Sequence, residues 1–172
     1  IVALGRSPIG RAGKGSLVDV RPDDLAAAVV RELVAKVPEL DPATIEDLIC
    51  GCAQPSGEHG FNIARVVGVL AWLDVPGTTV NRYCSSSLQG TRVAGHAIRA
   101  GEGDVFLSVG VECVSRYLDG AADPPAAENE AFAAERRGSL PDMYANEVVA
   151  DASPLRAHSL GANVMPHSGG TR

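Results

Sequence analysis

The sequence predicts an α/β fold in which a mostly parallel sheet carries helices on both faces. Three observations support this prediction. Four short apolar runs have the length of strands, segments with helical spacing separate them, and Gly or Pro punctuates the junctions. The resulting order is β-α-β-α-β-α-β, and alternation of this kind implies parallel strands joined by crossover helices.

The N-terminal end of the chain contains the first predicted strand. Residues 1–4, Ile-Val-Ala-Leu, are a short apolar run that Gly5 ends. Residues 6–15 then form a loop rich in glycine and basic side chains. This loop has the composition of a phosphate-binding loop but lacks the Gly-Lys-Ser/Thr ending of a Walker loop. An ordinary surface loop is therefore the preferred interpretation.

The first helix is predicted to begin at Pro22 and to end before Pro38. Proline suits the first helical position, and Asp23 and Asp24 follow in the first turn, where the helix dipole favours negative charge. A later proline ends a helix because it cannot donate the backbone hydrogen bond. The side chains predicted to face the core are Leu25, Ala26, Val29, Val30, Leu33, Val34 and Val37.

A second strand is predicted over residues 46–52, which end in Cys-Gly-Cys. Residues two apart in a strand point to the same face, so Cys50 and Cys52 are predicted to pack on one face of the sheet. Such a pair could also begin a zinc site or form a disulfide. No matching pair of Cys or His stands at ordinary ligand spacing, so core packing is the preferred interpretation.

The remaining elements continue the alternation. A second helix is predicted over residues 61–73, with Trp72 among its apolar members, and a third strand over residues 78–80. Helical spacing then extends over residues 88–101. Residues 105–111, Val-Phe-Leu-Ser-Val-Gly-Val, form the most strongly predicted strand. Their nearly continuous apolar character predicts burial on both faces.

One cysteine stands at the junction between the third strand and the third helix. The run 81–89, Asn-Arg-Tyr-Cys-Ser-Ser-Ser-Leu-Gln, places Cys84 directly before that helix. The first N–H groups of a helix lack intrahelical partners and, with the helix dipole, favour negative charge. They would help a thiolate to form and would hold the oxyanion of a thioester under attack. The residues alone leave two interpretations open, a nucleophile and a small buried core residue.

Length and charge restrict the classes of function. The chain has 172 residues, which suits one domain with an extension. Its net charge of −6 argues against nucleic-acid binding through a basic face. No apolar run approaches the length of a membrane span, and the first residues lack the pattern of a secretory signal. For the four cysteines, reduced thiols and a cytoplasmic location are therefore expected.

Three parts are predicted along the chain. Residues 1–118 form the α/β core. Residues 119–144 begin with a stretch rich in Ala, Pro and acidic side chains and are predicted as a partial loop region. Residues 145–172 form a polar tail without clear periodicity, which predicts loop or disorder.

The run 81–89 resembles the cysteine motif of the thiolases, in particular the degradative acetyl-CoA acyltransferases. Residues 6–10, Arg-Ser-Pro-Ile-Gly, are similar to the family's Arg-Thr-Pro-Ile-Gly opening, and residues 61–65 are similar to its second helix. Residues 101–116 resemble the strand and turn that follow the cysteine helix. The similarities cover residues 1–118 and imply a thiolase N-terminal half. Ketoacyl synthases share the fold, but their cysteine motifs differ.

The resemblance implies a role for Cys84. In the thiolases this cysteine takes the acyl group of a 3-ketoacyl-CoA, releases acetyl-CoA and passes the acyl group to a second CoA, and the overall reaction is reversible. The expected substrates are coenzyme A thioesters, the expected setting is fatty-acid β-oxidation, and no bound cofactor or metal is implied. The backbone N–H of Cys84 is expected to help form an oxyanion hole.

Parts of the thiolase pattern are missing from these residues. The family's second half supplies an activating histidine and a second cysteine, and neither motif occurs here, since His158 and His167 lack the Gly-His-Pro context. Residues 129–132, Asn-Glu-Ala-Phe, match a motif that the family carries much further downstream, and they are interpreted as a chance match. The fifth strand of the first half, which follows the loop region in the family, is also missing.

Two functional hypotheses remain. The chain is a thiolase-type acyltransferase that is incomplete by itself, or it is an inactive, truncated or divergent relative that binds CoA or a partner. An exposed sheet edge is expected where the fifth strand is missing, and such edges invite pairing. Because thiolases pair their first halves across a two-fold axis, the resemblance implies a homodimer.

Overall fold

Three helices alternate with three strands in residues 1–117, the part of the chain that the computed structural model describes. In chain order these elements are α1 (Pro22–Ala35), β1 (Asp47–Gly51), α2 (Ile63–Leu70), β2 (Gly77–Val80), α3 (Ser86–Ala100) and β3 (Phe106–Gly110). The predicted segments 119–144 and 145–172 lie outside the described residues. Within the described part, no helix combines the length and the apolar character that a membrane crossing needs.

The strands form a parallel sheet in the order β2-β1-β3, which confirms the predicted α/β class. β1 is the central strand, because Leu48 pairs with Gly77 of β2 on one side and with Leu107 of β3 on the other. Because neighbouring strands cover both edges of β1 and helices cover both of its faces, the side chains of Leu48, Ile49 and Cys50 are at most 2% exposed. The core therefore centres on β1.

Helices cover both faces of this sheet, as the sequence predicts. α1 and α2 share one face with Leu48 and Leu107, and the helical residues buried there are Ala26, Ala27, Val30, Ile63, Ala64 and Val67. The opposite face belongs to α3, whose Gly90 comes so close to Ile49 that a Cβ would lie 3.3 Å from its side chain. On α1 the buried stripe is narrower than predicted, since Leu25 and Val29 are only partly buried.

Cys50 and Cys52 lie on the same face, as predicted from their spacing. Both side chains are buried in the cluster that β1 forms with α1 and α2, at 0% and 1% exposure. Alternation along the strand explains this placement, because Ile49 and Gly51, the residues on either side of Cys50, face α3. The two thiols are part of the core.

The predicted first strand is wrong. Residues 1–4 pair with no strand in the described part of the chain, and the side chains of Ile1, Val2 and Leu4 are 102%, 91% and 78% exposed. The reason is that β1 and β3 pair directly with each other, so the buried centre of the sheet is complete without them. The sheet of residues 1–117 therefore has three strands rather than four.

The prediction that the last strand is buried on both faces is also wrong. β3 lies at one side of the three-stranded sheet, and of its residues only Leu107 is buried, whereas Ser108 is exposed. A run of apolar residues shows that a strand is able to be buried, but it does not show whether the strand is central or at the edge of the sheet. β2 and β3 are both edge strands among the described residues.

α2 is shorter than the predicted helix over residues 61–73. It begins after Phe61 and Asn62, whose backbones are left-handed with φ of 56° and 57°, and a third left-handed residue, Trp72, follows its end with φ of 61°. Trp72 is therefore outside the helix and exposed, and the guanidinium of Arg31 lies 5.0 Å from its ring centroid.

Candidate active site

Cys84 lies between β2 and α3, at the carboxyl end of the parallel sheet. β2 ends at Val80, a single 3-10 turn covers Tyr83–Ser85, and α3 begins at Ser86. Cys84 is exposed in that turn, so the alternative of a buried core cysteine is wrong. The carboxyl ends of the strands are where open parallel α/β sheets bind ligands.

Two glycines at strand ends let α3 start directly above the sheet. Gly51 ends β1, and a Cβ at this position would overlap the backbone of Ser86 and Ser87. Gly110 ends β3, and a Cβ there would lie 2.6 Å from the Cβ of Ser87. The first turn of α3 therefore rests against the main chain of two strands. This contact sets how far Cys84 stands above the sheet.

A hydrogen-bonded turn holds Cys84 in place. The N–H of Tyr83 donates to Oδ1 of Asn81 at 2.8 Å, and Tyr83 itself has a left-handed backbone with φ of 48°. The hydroxyl of Ser86 donates to the carbonyl oxygen of Tyr83 at 2.6 Å and accepts from the N–H of Arg82 at 2.8 Å. Ser86 is 4% exposed. The residues before and after the cysteine are thus joined through one buried side chain.

Arg82 links this turn to the body of α3. Its carbonyl oxygen accepts from the N–H of Ser85 at 3.1 Å, which closes the backbone turn around the cysteine. Its guanidinium donates to Oε1 of Gln89 at 2.6 Å, one turn further along the helix. The main chain and the side chain of Arg82 therefore both bind groups on the α3 side of Cys84.

The other three cysteines are buried or half-buried thiols. Burial raises the pKa of Cys50 and of Cys52 to about 12, and the negative charge of Glu112 acts in the same direction. Burial also raises the pKa of Cys113. A thiol with a raised pKa carries almost no thiolate at pH 7 and is a poor nucleophile. Cys84 is the exposed member of the four cysteines.

A polar cluster after the end of β3 was not predicted from the sequence. Oε2 of Glu112 accepts from the N–H of Ala53 at 2.6 Å, and burial raises the pKa of this carboxyl. Nε2 of His59 accepts from the N–H of Cys113 at 3.0 Å, inside a site where the imidazole is 1% exposed. Two sequence signals point to it, an acidic residue directly after the predicted strand over residues 105–111 and a histidine in a Gly-punctuated loop.

His59 and Glu112 are neighbours but not an ion pair at pH 7. Their nearest nitrogen and oxygen atoms are 3.9 Å apart. Burial lowers the pKa of His59, so the imidazole is neutral at pH 7. Nε2 then serves as an acceptor for a backbone N–H, and the cluster ties the loop before α2 to the residues after β3.

Of the other candidate site residues predicted from the sequence, only some lie in the part of the chain that the structure describes. His158, His167 and residues 129–132 lie outside the described residues. In the loop over residues 6–15, the N–H of Gly13 donates to Oγ of Ser115 at 3.0 Å, so this loop is tied to the segment after β3. Among residues 1–117 no group of three or more His, Cys, Asp or Glu side chains could hold a metal ion.

The chain is similar in sequence to known thiolases. The chain is 41% identical over 165 residues to the 3-oxoadipyl-CoA/3-oxo-5,6-dehydrosuberyl-CoA thiolase of Escherichia coli (strain K12), a match that covers 95% of this chain and 39% of that protein. It is 47% identical over 118 residues to the 3-ketoacyl-CoA thiolase of Bacillus subtilis (strain 168), which covers 67% of this chain and 30% of that protein.

Both relatives are much longer than this chain, which spans 39% of the length of one and 30% of the other. Residues 1–154 match the family described as "Thiolase, N-terminal domain". The resemblance seen in the cysteine motif is thereby confirmed over most of the chain. The protein belongs to the thiolase family, of which this chain covers the N-terminal domain.

Proposed function

We propose that this chain supplies the acyl-accepting nucleophile of a thiolase, Cys84. One observation carries the proposal. Cys84 is exposed at the start of α3 and at the carboxyl end of the sheet, whereas burial raises the pKa of the other three cysteines. Family membership supports the substrate class, coenzyme A thioesters, since the relatives are named as thiolases of 3-oxoacyl-CoA compounds.

In the proposed first step the thiolate of Cys84 attacks the C3 carbonyl of a 3-ketoacyl-CoA and forms a carbon–sulfur bond. The oxyanion collapses, the bond between C2 and C3 breaks, and its electron pair stays on C2. That carbanion takes a proton from a general acid and leaves as acetyl-CoA. A second CoA thiolate then attacks the acyl-cysteine thioester, and Cys84 departs as a thiolate.

The start of α3 suits the charge that develops in both steps. N–H groups in the first turn of a helix and the helix dipole favour an oxyanion placed beside them. The backbone N–H of Cys84 is proposed as one donor of an oxyanion hole. The main-chain contact of α3 with Gly51 and Gly110 holds this region rigidly against the sheet, which supports pre-organisation.

The proposal for this chain is limited to acyl transfer at Cys84. The general acid and base are expected from parts of the thiolase fold outside this chain, because the chain spans only 39% and 30% of the length of the two relatives named above. Degradative fatty-acid β-oxidation and a homodimer are further proposals that rest on family membership alone. A cytoplasmic location is a proposal that rests on the reduced state of the four cysteines.

A second candidate function follows from two motifs that these residues lack, the family's activating histidine and its second cysteine. In this alternative, the chain is a catalytically inactive, truncated or divergent thiolase relative that binds coenzyme A or a partner chain. The two candidates differ in one property, the formation of a covalent acyl group on Cys84. That property is measurable without full turnover.

Intact-mass spectrometry after incubation with acetyl-CoA or acetoacetyl-CoA separates the two candidates. The parent chain is compared with Cys84→Ala and with Cys113→Ala, a matched control that removes a half-buried thiol. The proposal predicts one acetyl group on the parent and on Cys113→Ala and none on Cys84→Ala. A folded parent without an adduct would favour the inactive relative, and an adduct on Cys84→Ala would remove Cys84 from the proposal.

A further inference from the structure

Ser86 makes an unusual set of contacts for the first residue of a helix. The helix cap position belongs to Ser85, whose side chain makes no capping hydrogen bond. The hydroxyl of Ser86 instead points backward, donates to the carbonyl oxygen of Tyr83 at 2.6 Å and accepts from the N–H of Arg82 at 2.8 Å. At 4% exposure it is one of three buried polar or charged side chains of residues 1–117.

The partner that Ser86 binds is a strained residue. Tyr83 has φ of 48°, a left-handed conformation that a large side chain rarely adopts. Such a conformation persists only where surrounding contacts hold it. The carbonyl oxygen of Tyr83 accepts from both the N–H and the hydroxyl of Ser86, and its N–H is held by Asn81. The strained residue therefore directly precedes Cys84, and hydrogen bonds from Ser86 stabilise its conformation.

We propose that Ser86 is a positioning residue for Cys84, whose hydroxyl braces the left-handed turn at Tyr83 and so directs the cysteine thiol away from the sheet at the start of α3. This inference rests on the proposed function, because it assigns Ser86 a part in presenting the nucleophile. Ser86 itself is buried, at 4% exposure. Its effect on the reaction is transmitted through Tyr83 and Cys84.

The contacts around Ser86 separate this role from simple support of the fold. The position of α3 on the sheet is set by main-chain contact with Gly51 and by the approach of Gly110 to Ser87, and neither uses the Ser86 hydroxyl. Alanine at position 86 keeps the Cβ in the same buried space. The substitution removes only the hydroxyl bridge, leaving the N–H of Arg82 without that acceptor. We therefore expect Ser86→Ala to change the conformation of the turn at residues 82–85 more than it changes the free energy of unfolding.

The test measures the rate at which iodoacetamide alkylates Cys84, located by peptide mass mapping, from acid to alkaline pH. The variants are Ser86→Ala, the hydroxyl-retaining Ser86→Thr, and the control Ser85→Ala, which removes the exposed neighbouring hydroxyl. We expect Ser86→Ala to be roughly tenfold slower at neutral pH, the effect of one lost hydrogen bond on an equilibrium, with a pH profile displaced to higher pH. Ser85→Ala and Ser86→Thr should follow the parent.

Each outcome decides the inference. If Ser86→Ala is alkylated at the parental rate with the parental pH profile, the inference is overturned. It is also overturned if alkylation of Ser85→Ala or of Ser86→Thr is as slow as that of Ser86→Ala. Loss of folding in Ser86→Ala, seen by circular dichroism, would show a structural residue and also overturn it. Alkylation needs no CoA thioester, so a failure of acetyl transfer in the parent would leave this result intact and affect only the proposed function.

Discussion

Gly51→Ala tests whether α3 rests on the main chain of the sheet. Gly51 is the last residue of the central strand, and a Cβ there would overlap the backbone of Ser86 and Ser87 at the start of α3. These are backbone atoms within a helix, so no flexible side chain can turn away to make room. Either the first turn of α3 moves off the sheet or the strand end distorts.

The expected loss of stability follows from this geometry. Overpacking a well-packed site costs about 1–3 kcal/mol, and contact with rigid backbone places Gly51→Ala near the upper end. Replacing Gly by Ala also reduces the entropy of the unfolded chain, which offsets roughly 0.4–1 kcal/mol. The net destabilisation is therefore about 2 kcal/mol. That is a large fraction of the roughly 5–15 kcal/mol by which domains are stable.

Urea denaturation followed by far-UV circular dichroism measures this difference, with Gly95→Ala as a control in α3, the helix that Gly51 contacts. At Gly95 the nearest atom to an added Cβ is the flexible Nη1 of Arg99, 3.8 Å away. Alanine in a helix interior is favoured over glycine by about 1 kcal/mol, so the control should be stabilised. A Gly51→Ala protein with the parental urea midpoint would refute the described approach of α3 to β1.

Two further predictions concern the titratable groups. In the native protein a thiol reagent should modify Cys84 first and should modify Cys50 and Cys52 only on unfolding, because burial raises the pKa of both core thiols to about 12. Quantitative peptide mass mapping over a time course of labelling would show this order. Early labelling of Cys50 would contradict the prediction. Burial lowers the pKa of His59, so the folded state binds fewer protons than the unfolded chain, and stability should fall as the pH drops through about 6.5. Urea unfolding at about pH 7.5 and pH 5.5 should show that the parent loses more free energy of unfolding on acidification than His59→Gln does. Equal losses in the two proteins would rule out His59 as the cause.

Much of the local structure could be predicted from residue order. Pro22 and the acidic residues after it marked the start of α1, and the two-residue spacing of Cys50 and Cys52 predicted their common face. The run around Cys84 predicted a strand, a cysteine and a helix in that order. These features depend on dihedral preferences and on the periodicities of helix and strand, which act within a few residues.

The sequence by itself determined the α/β class, the start of α1 and the position of Cys84 directly before a helix. The tertiary structure alone decided that β1 pairs directly with β3, that residues 1–4 stay outside the sheet, and that Gly51 makes room for α3. It also decided that the hydroxyl of Ser86 is buried against Tyr83. The physical reason is that strand order, burial and close approach depend on contacts between segments far apart in the chain, about which local periodicity carries no information.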